Sequence, residues 1–202
     1  MSNPFYSIPL FHYFRPVNLR MTESLRIIIS GGPGTGKSTL LNLLRDKGYS
    51  CHDEVARMVI KEQLEKNSKL LPWQDLMGYS NLVFERIVAQ TKLANQSPIS
   101  IFDRSAVDVL AYLSHGKQEI PEYMRTQISE LAYHKTVFFA PFWSAIYQED
   151  GERKETPHEA AAISLTLMKI YQSFGFELIE LPLAPPQQRL EIIEDTLKLL
   201  MK

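Results

Sequence analysis

Short apolar runs alternate with longer stretches of helical period along this chain. Residues 25–30 read LRIIIS, a β-branched run without a polar face, which predicts a strand buried on both sides. Residues 38–47 carry Leu40, Leu41, Leu43 and Leu44 at helical spacing, with Gly48 as a natural stop. A second strand is expected over 49–52, with Asp53 capping a helix over 54–66. A helix over 73–95 has Leu76, Val83 and Ile87 on one face, and a third strand follows over 98–102. Helices over 106–113 and 121–133 come next, Pro121 being placed to open the second. A fourth strand, TVFFA over 136–140, is halted by Pro141. The loop 142–156 precedes a helix over 157–174, a fifth strand over 176–181 and a last helix over 186–201. Five strands with helical crossovers predict an α/β fold: a parallel sheet with helices on both faces.

Length and composition narrow this picture. The chain of 202 residues, 45% apolar and 22% charged, suits one globular domain. We expect an N-terminal extension over 1–22, rich in aromatics and prolines, and a nucleotide-binding domain over 23–202. Met21 offers an alternative start. The extension lacks the long apolar core and cleavage site of a secretory signal. A net charge of −1 gives no reason to expect a nucleic-acid partner. No apolar run is long enough for a transmembrane segment. The single cysteine, Cys51, fits a reducing, cytoplasmic setting.

The first strand runs directly into Gly31-Gly32-Pro33-Gly34-Thr35-Gly36-Lys37-Ser38, a complete G-x-x-x-x-G-K-[ST] phosphate loop. Glycines let successive N–H groups turn inward around phosphate oxygens. The helix that starts near Lys37 adds its N-terminal dipole. Lys37 brings a compact positive charge to the β- and γ-phosphates, Ser38 offers a hydroxyl to magnesium, and Thr39 reaches the α-phosphate side. Gly32 through Thr39 are therefore the expected ATP-binding residues, with Mg2+ as the partner ion.

Three further segments carry charge where the ligand crevice of such a sheet lies, beyond the strand C-termini. Asp103 ends the third strand and suits the acid that holds magnesium through water, or else caps the next helix. Arg104 can fork onto a phosphate or substrate anion, or make a surface ion pair. Asp53 and Glu54 follow the second strand, and either carboxylate could take a proton from an attacking hydroxyl or orient it. Glu54 could equally pair with Arg57 three residues on. The charged segment 147–154 could act as a lid that brings Arg153 to the phosphates, or be an exposed loop.

Taken together, the phosphate loop, Glu54-Val-Ala-Arg57, Asp103-Arg104 and Asp150-Gly-Glu-Arg153 behind Pro141-Phe-Trp143 give a family resemblance. From Leu25 to Leu200 the chain resembles the P-loop AAA-like ATPase/kinase domains, which include the nicotinamide riboside kinase domain of the bacterial NadR-type proteins. The resemblance implies a nucleoside-kinase-like sheet of order 2-3-1-4-5 and binding of ATP or GTP with magnesium. It puts Glu54 on the acceptor side, Asp103 near the metal and Arg153 in the lid. Some relatives are described as GTP- and lipid-binding, which leaves an acidic-lipid partner open. The chain has no N-K-x-D motif to read guanine, which points to ATP.

Two functions from different classes remain. One is a kinase that moves the γ-phosphoryl group of a nucleoside triphosphate to an unknown small-molecule hydroxyl, with Lys37, Glu54, Asp103, Arg104 and Arg153 as its catalytic set. The other is a nucleotide-dependent ATPase or GTPase switch with a protein or lipid partner. An inactive scaffold would not need an intact Lys37, Ser38 and Asp103.

Overall fold

The computed structural model describes residues 24–94, 97–147 and 155–202. Its elements run β1 (Leu25–Gly31), α1 (Lys37–Asp46), β2 (Ser50–His52), α2 (Val55–Glu65), α3 (Leu76–Leu93) and β3 (Ile99–Asp103). They continue α4 (Ala106–His115), α5 (Glu122–Glu130), β4 (Thr136–Ala140), α6 (Pro157–Ser173), β5 (Glu177–Glu180) and α7 (Pro186–Leu200). The five strands form one sheet of order β2-β3-β1-β4-β5, and every pairing is parallel. This is the expected P-loop NTPase fold.

The period of two along β1 explains both layers. Ile27 and Ile29 point to one face, where Leu40, Leu41 and Leu44 of α1 meet Leu190, Ile193 and Leu197 of α7. Ile28 points to the other face, into a larger core with Val59 of α2, Val83 of α3, Leu110 of α4 and Leu167 of α6. All three isoleucines are fully buried. Each such side chain contributes about 1.5–3 kcal/mol relative to exposure, so a run without a polar face is what this central strand requires.

The register places the site. Ile29 pairs with Asp103 and Gly31 with Ala140, so β1, β3 and β4 finish at one edge, where the phosphate loop leaves β1. Gly31 has a φ of +145°, and a Cβ there would lie 2.1 Å from the Ala140 carbonyl oxygen. Only glycine allows the chain to turn from the sheet this close to β4.

Several local expectations are corrected. Helix α3 starts at Leu76 instead of 73, because Asp75 takes the cap position and accepts from Gly78 N–H at 2.8 Å. Asp53 does not cap α2; Glu54 occupies that position without a side-chain cap bond, and Asp53 pairs with Arg45 at 2.7 Å. Helix α5 ends at Glu130, so Tyr133 lies outside it and donates or accepts across to Thr91 at 2.7 Å. The extension over 1–22 and the lid residues Asp150 to Arg153 lie outside the described residues. Among the described residues no helix is long and apolar enough to cross a membrane.

Candidate phosphate-binding and acceptor site

The phosphate loop bridges β1 and α1. Gly34 and Gly36 have φ of 72° and 81°, left-handed values that turn the backbone around a concavity. Gly36 is the N-cap of α1, so the helix begins at Lys37. Lys37 is buried, and its Nζ donates to the carbonyl oxygens of Gly31 at 3.0 Å and Gly32 at 2.8 Å. Burial, followed by repulsion from Arg104, lowers its pKa from 10.5 to about 8, although Asp103, Glu54 and Asp108 pull the other way. A triphosphate would supply the counter-charge this ammonium lacks. Arg189 of α7 fixes the loop from below, donating from Nη1 to the Thr35 carbonyl at 2.9 Å.

Asp103 ends β3 at 5% exposure, and its Oδ1 is buried without a hydrogen-bond partner. It shares a cleft of about 310 Å³ with Ser38, Glu54, Arg57 and Lys61. A hydroxyl and an unpartnered carboxylate oxygen are hard donors that suit Mg2+, which takes few protein ligands and completes its shell with water and phosphate. Ser38 and Asp103 could therefore hold it. Asp103 does not cap α4. Ser105 does, in a reciprocal capping box with Asp108.

Burial, with repulsion from Glu54 and Asp108, raises the Asp103 pKa from 3.8 to about 6, against attraction from Lys37 and Arg104. A carboxyl raised in the fold contributes stability that is present below its unfolded pKa and lost as pH rises through its folded one. At neutral pH this shift costs about 3 kcal/mol. Asp103→Asn is therefore expected to raise Tm by about 6–12 °C in magnesium-free buffer at neutral pH. Thermal melts should show a smaller gain at acid pH, where the wild-type carboxyl is already protonated.

Arg104 follows in a left-handed conformation, φ 69°, which is uncommon outside glycine. Its N–H donates to Ile29 O at 3.0 Å, which continues the β1–β3 ladder. The guanidinium is buried. Its Nε donates to Glu54 Oε1 at 2.9 Å, and its Nη1 donates to Gly31 O at 3.1 Å and Asp108 Oδ1 at 3.2 Å. Glu54 thus pairs across the sheet edge with Arg104, and the Arg104 ion pair is buried instead of superficial. Burial pushes the Glu54 pKa up, but Arg104, Lys37 and Arg57 together outweigh it and the net shift is downward. The side chain is a carboxylate at neutral pH. One of its oxygens is held by Arg104, which leaves Oε2 for a partner.

These groups line a cleft of about 400 Å³ that runs from the phosphate loop into the space between α2, α3 and α4. Its inner walls are Val55, Ile60, Leu76, Tyr79, Val83 and Tyr112, with Glu54, Arg104 and Asp108 at the phosphate end. The volume suits a small ligand beside the triphosphate. Tyr112 also lies under Arg104, 5.5 Å from its ring centroid to the guanidinium carbon. Sequence reasoning missed Asp108, Tyr112, Tyr79 and Arg189. Asp108 had a legible signal, since Ser105 followed three residues later by an acid is a capping-box pattern.

The family described as AAA domain matches residues 26–189. The chain belongs to this family. Among solved structures the AAA domain is similar to deoxyadenosine kinase from M. mycoides, at 16% identity and a TM-score of 0.63. That match covers 86% of this chain and 99% of the kinase. It is also similar to the NadR protein in complex with NR, at 17% identity and a TM-score of 0.62, over 87% of this chain and 52% of NadR. The chain thus spans about half the length of NadR. Thymidylate kinase from Candida albicans matches at 14% identity and a TM-score of 0.56, over 87% of this chain and 92% of the kinase. A comparison with curated proteins returned no match. The structural likenesses agree with the parallel 2-3-1-4-5 sheet described above.

Proposed function

We propose that this AAA domain is a magnesium-dependent kinase that transfers the γ-phosphoryl group of ATP to a hydroxyl of a small molecule held between α2, α3 and α4. The observation that carries this reading is the Glu54 carboxylate. It sits where the cleft runs on from the phosphate loop into the space between α2, α3 and α4, held by Arg104 at 2.9 Å through only one oxygen. A pure nucleotide switch has no need of such a pocket or of a carboxylate at its phosphate end. The kinases among the similar structures support the same class.

At the phosphate end the Arg104 charge is shared between Glu54 and Asp108, so an acceptor atom beside Glu54 meets a carboxylate, which disfavours a phosphate at that point. A neutral alcohol would meet a base. Its oxygen attacks the γ-phosphorus while its proton passes to Glu54 Oε2. The bond from the γ-phosphorus to the β–γ bridging oxygen breaks, and ADP leaves with that electron pair. Lys37 would neutralise charge on the β- and γ-phosphates, and Arg104 would orient Glu54. Ser38 and Asp103 would hold magnesium, whose charge would add to the neutralisation of the triphosphate.

ADP release from MgATP, followed with and without a panel of nucleosides, ribosides and sugars and with Lys37→Ala as blank, tests the reading. One acceptor should stimulate release and appear as a phosphorylated product by mass. Slow release that ignores every acceptor would overturn it in favour of a nucleotide switch.

A further inference from the structure

The Asp108 carboxylate does something the transfer chemistry above does not use. It lies on the first turn of α4 at 2% exposure, and both of its oxygens are occupied. Oδ1 accepts from Ser30 Oγ at 2.7 Å and from Arg104 Nη1 at 3.2 Å. Oδ2 accepts from Ser105 N–H at 2.8 Å and from the Tyr171 hydroxyl. A carboxylate so saturated has no lone pair left for a proton, a metal or a substrate. Tyr171 belongs to α6 and is fully buried. Its hydroxyl also meets Ser105 Oγ at 2.7 Å, while its ring packs edge-on against Phe176, with centroids 5.5 Å apart. A charge and a hydroxyl at the centre of an apolar layer are costly to bury, and apolar residues of similar size would pack there without that cost.

We propose that Asp108 and Tyr171 are positioning residues that hold Arg104 and, through its Nε, fix one oxygen of Glu54 while the other faces the cleft. The inference rests on the kinase reading for its purpose, but its geometry stands without it. Arg104 has two carboxylates within reach. Asp108 and the Gly31 carbonyl hold Nη1 while Nε meets Oε1 of Glu54, and the second Glu54 oxygen stays open to the cleft. Without a charged Asp108, Nη1 keeps only the neutral Gly31 carbonyl, and the Arg104 charge rests on Glu54 alone. The guanidinium would then be drawn toward Glu54 and the Nε contact displaced. Ser30, on β1, and Tyr171, on α6, aim the Asp108 carboxylate by donating one hydrogen bond to each oxygen. Three elements, β1, α4 and α6, together with Arg104 just past β3, thus converge on the orientation of one glutamate that none of these residues touches except Arg104.

The test uses Asp108→Asn and Tyr171→Phe in the full chain, with two readouts. The first is the Arg104 Nε–H resonance in a proton–nitrogen NMR spectrum, assigned by its loss in Arg104→Lys. Its position should move in both variants, more in Asp108→Asn, while core amide resonances stay in place. This readout needs no acceptor. The second readout is steady-state transfer to the acceptor found for the wild type. Asp108→Asn should lower kcat by about tenfold to a hundredfold, the share of base catalysis that misalignment removes. Its KM for ATP should stay within about twofold, since the Arg104–Glu54 geometry and not the phosphate loop is altered. Tyr171→Phe should lose less and keep the same split. An unmoved Arg104 resonance in both variants overturns the proposal, as does a kcat unchanged in Asp108→Asn. Parallel rises in both KM values with kcat intact would assign the network to general structure and also overturn it. Should Asp108→Asn fail to fold, Tyr171→Phe carries both readouts. A wild type that ignores every acceptor defeats the kinase reading alone, and the resonance still decides the positioning.

Discussion

Lys37→Met is expected to lower MgATP turnover by about a thousandfold, the loss seen when one preorganised charge on the transition state is removed. Triphosphate affinity should fall about tenfold to a hundredfold, as for a lost hydrogen bond to a charged partner. The reason lies in the state of the lysine in the structure. Its ammonium is buried and donates to carbonyl oxygens of the loop, which carry only partial charge. Burial lowers its pKa to about 8. Phosphate oxygens would restore a full counter-charge and raise that pKa again, so binding takes up a proton above about pH 8. Wild-type affinity for a fluorescent ATP analogue should accordingly decline as pH rises through that value, and the decline should vanish in Lys37→Met. The fold should survive the change. A group depressed in the fold costs stability below its folded pKa, and removal of the charge relieves that cost. The lost bonds to Gly31 and Gly32 work against the relief, so Tm should stay within about 3 °C. An inactive variant that melts far lower would point to misfolding instead of lost chemistry.

The reading of this chain divides by distance along the sequence. Local periodicity was enough for the elements, because Ile27, Ile28 and Ile29 must be apolar on both faces of a central strand and Leu40, Leu41 and Leu44 must line one side of a helix. The strand order came from the family resemblance and not from the pattern, which would be the same for any arrangement of five buried parallel strands. The glycine loop was legible because its function lies in backbone conformation. Left-handed turns at Gly34 and Gly36 leave a mark in composition that ordinary polar contacts do not.

Glu54, Asp103 and Arg104 were visible as charges at strand ends, but their relations were not. The sequence offered Arg57 as the neighbour of Glu54 on one helix, whereas the structure brings Arg104 from 50 residues away. Asp53 looked like a helix cap and is instead drawn 8 residues back to Arg45, an exposed pair with little net worth. The contacts that hold the site rigid lie further still. Tyr171 reaches Asp108 across 63 residues, and Arg189 reaches the Thr35 carbonyl across 154. A tyrosine in an amphipathic helix and an arginine in another leave no local trace of such partners, since their periodicity fits plain packing equally well. Only the tertiary fold, with α6 and α7 laid on opposite faces of the sheet, turns them inward to the loop.

Glu54→Gln is expected to slow phosphoryl transfer by about a hundredfold to ten-thousandfold, the range for loss of a positioned general base. The amide oxygen can still accept from Arg104 Nε, which now donates at 2.9 Å, so the cleft should keep its shape. The side chain can no longer take a proton from the acceptor hydroxyl. Nucleotide binding should remain within about twofold, because Glu54 lies outside the glycine loop and that loop is untouched. Arg104 retains Asp108 as a charged partner at 3.2 Å, so the guanidinium is not left alone in the interior. Glu54→Asp makes the complementary case. It keeps a carboxylate but withdraws it by one methylene, and misplacement on that scale should cost about a hundredfold. Single-turnover transfer with bound MgATP separates these effects from binding. Equal losses in both variants would mean that reach as well as charge matters at this position. Loss of nucleotide binding in Glu54→Gln would move Glu54 from the acceptor side to the phosphate side, and the hydroxyl would then need another base.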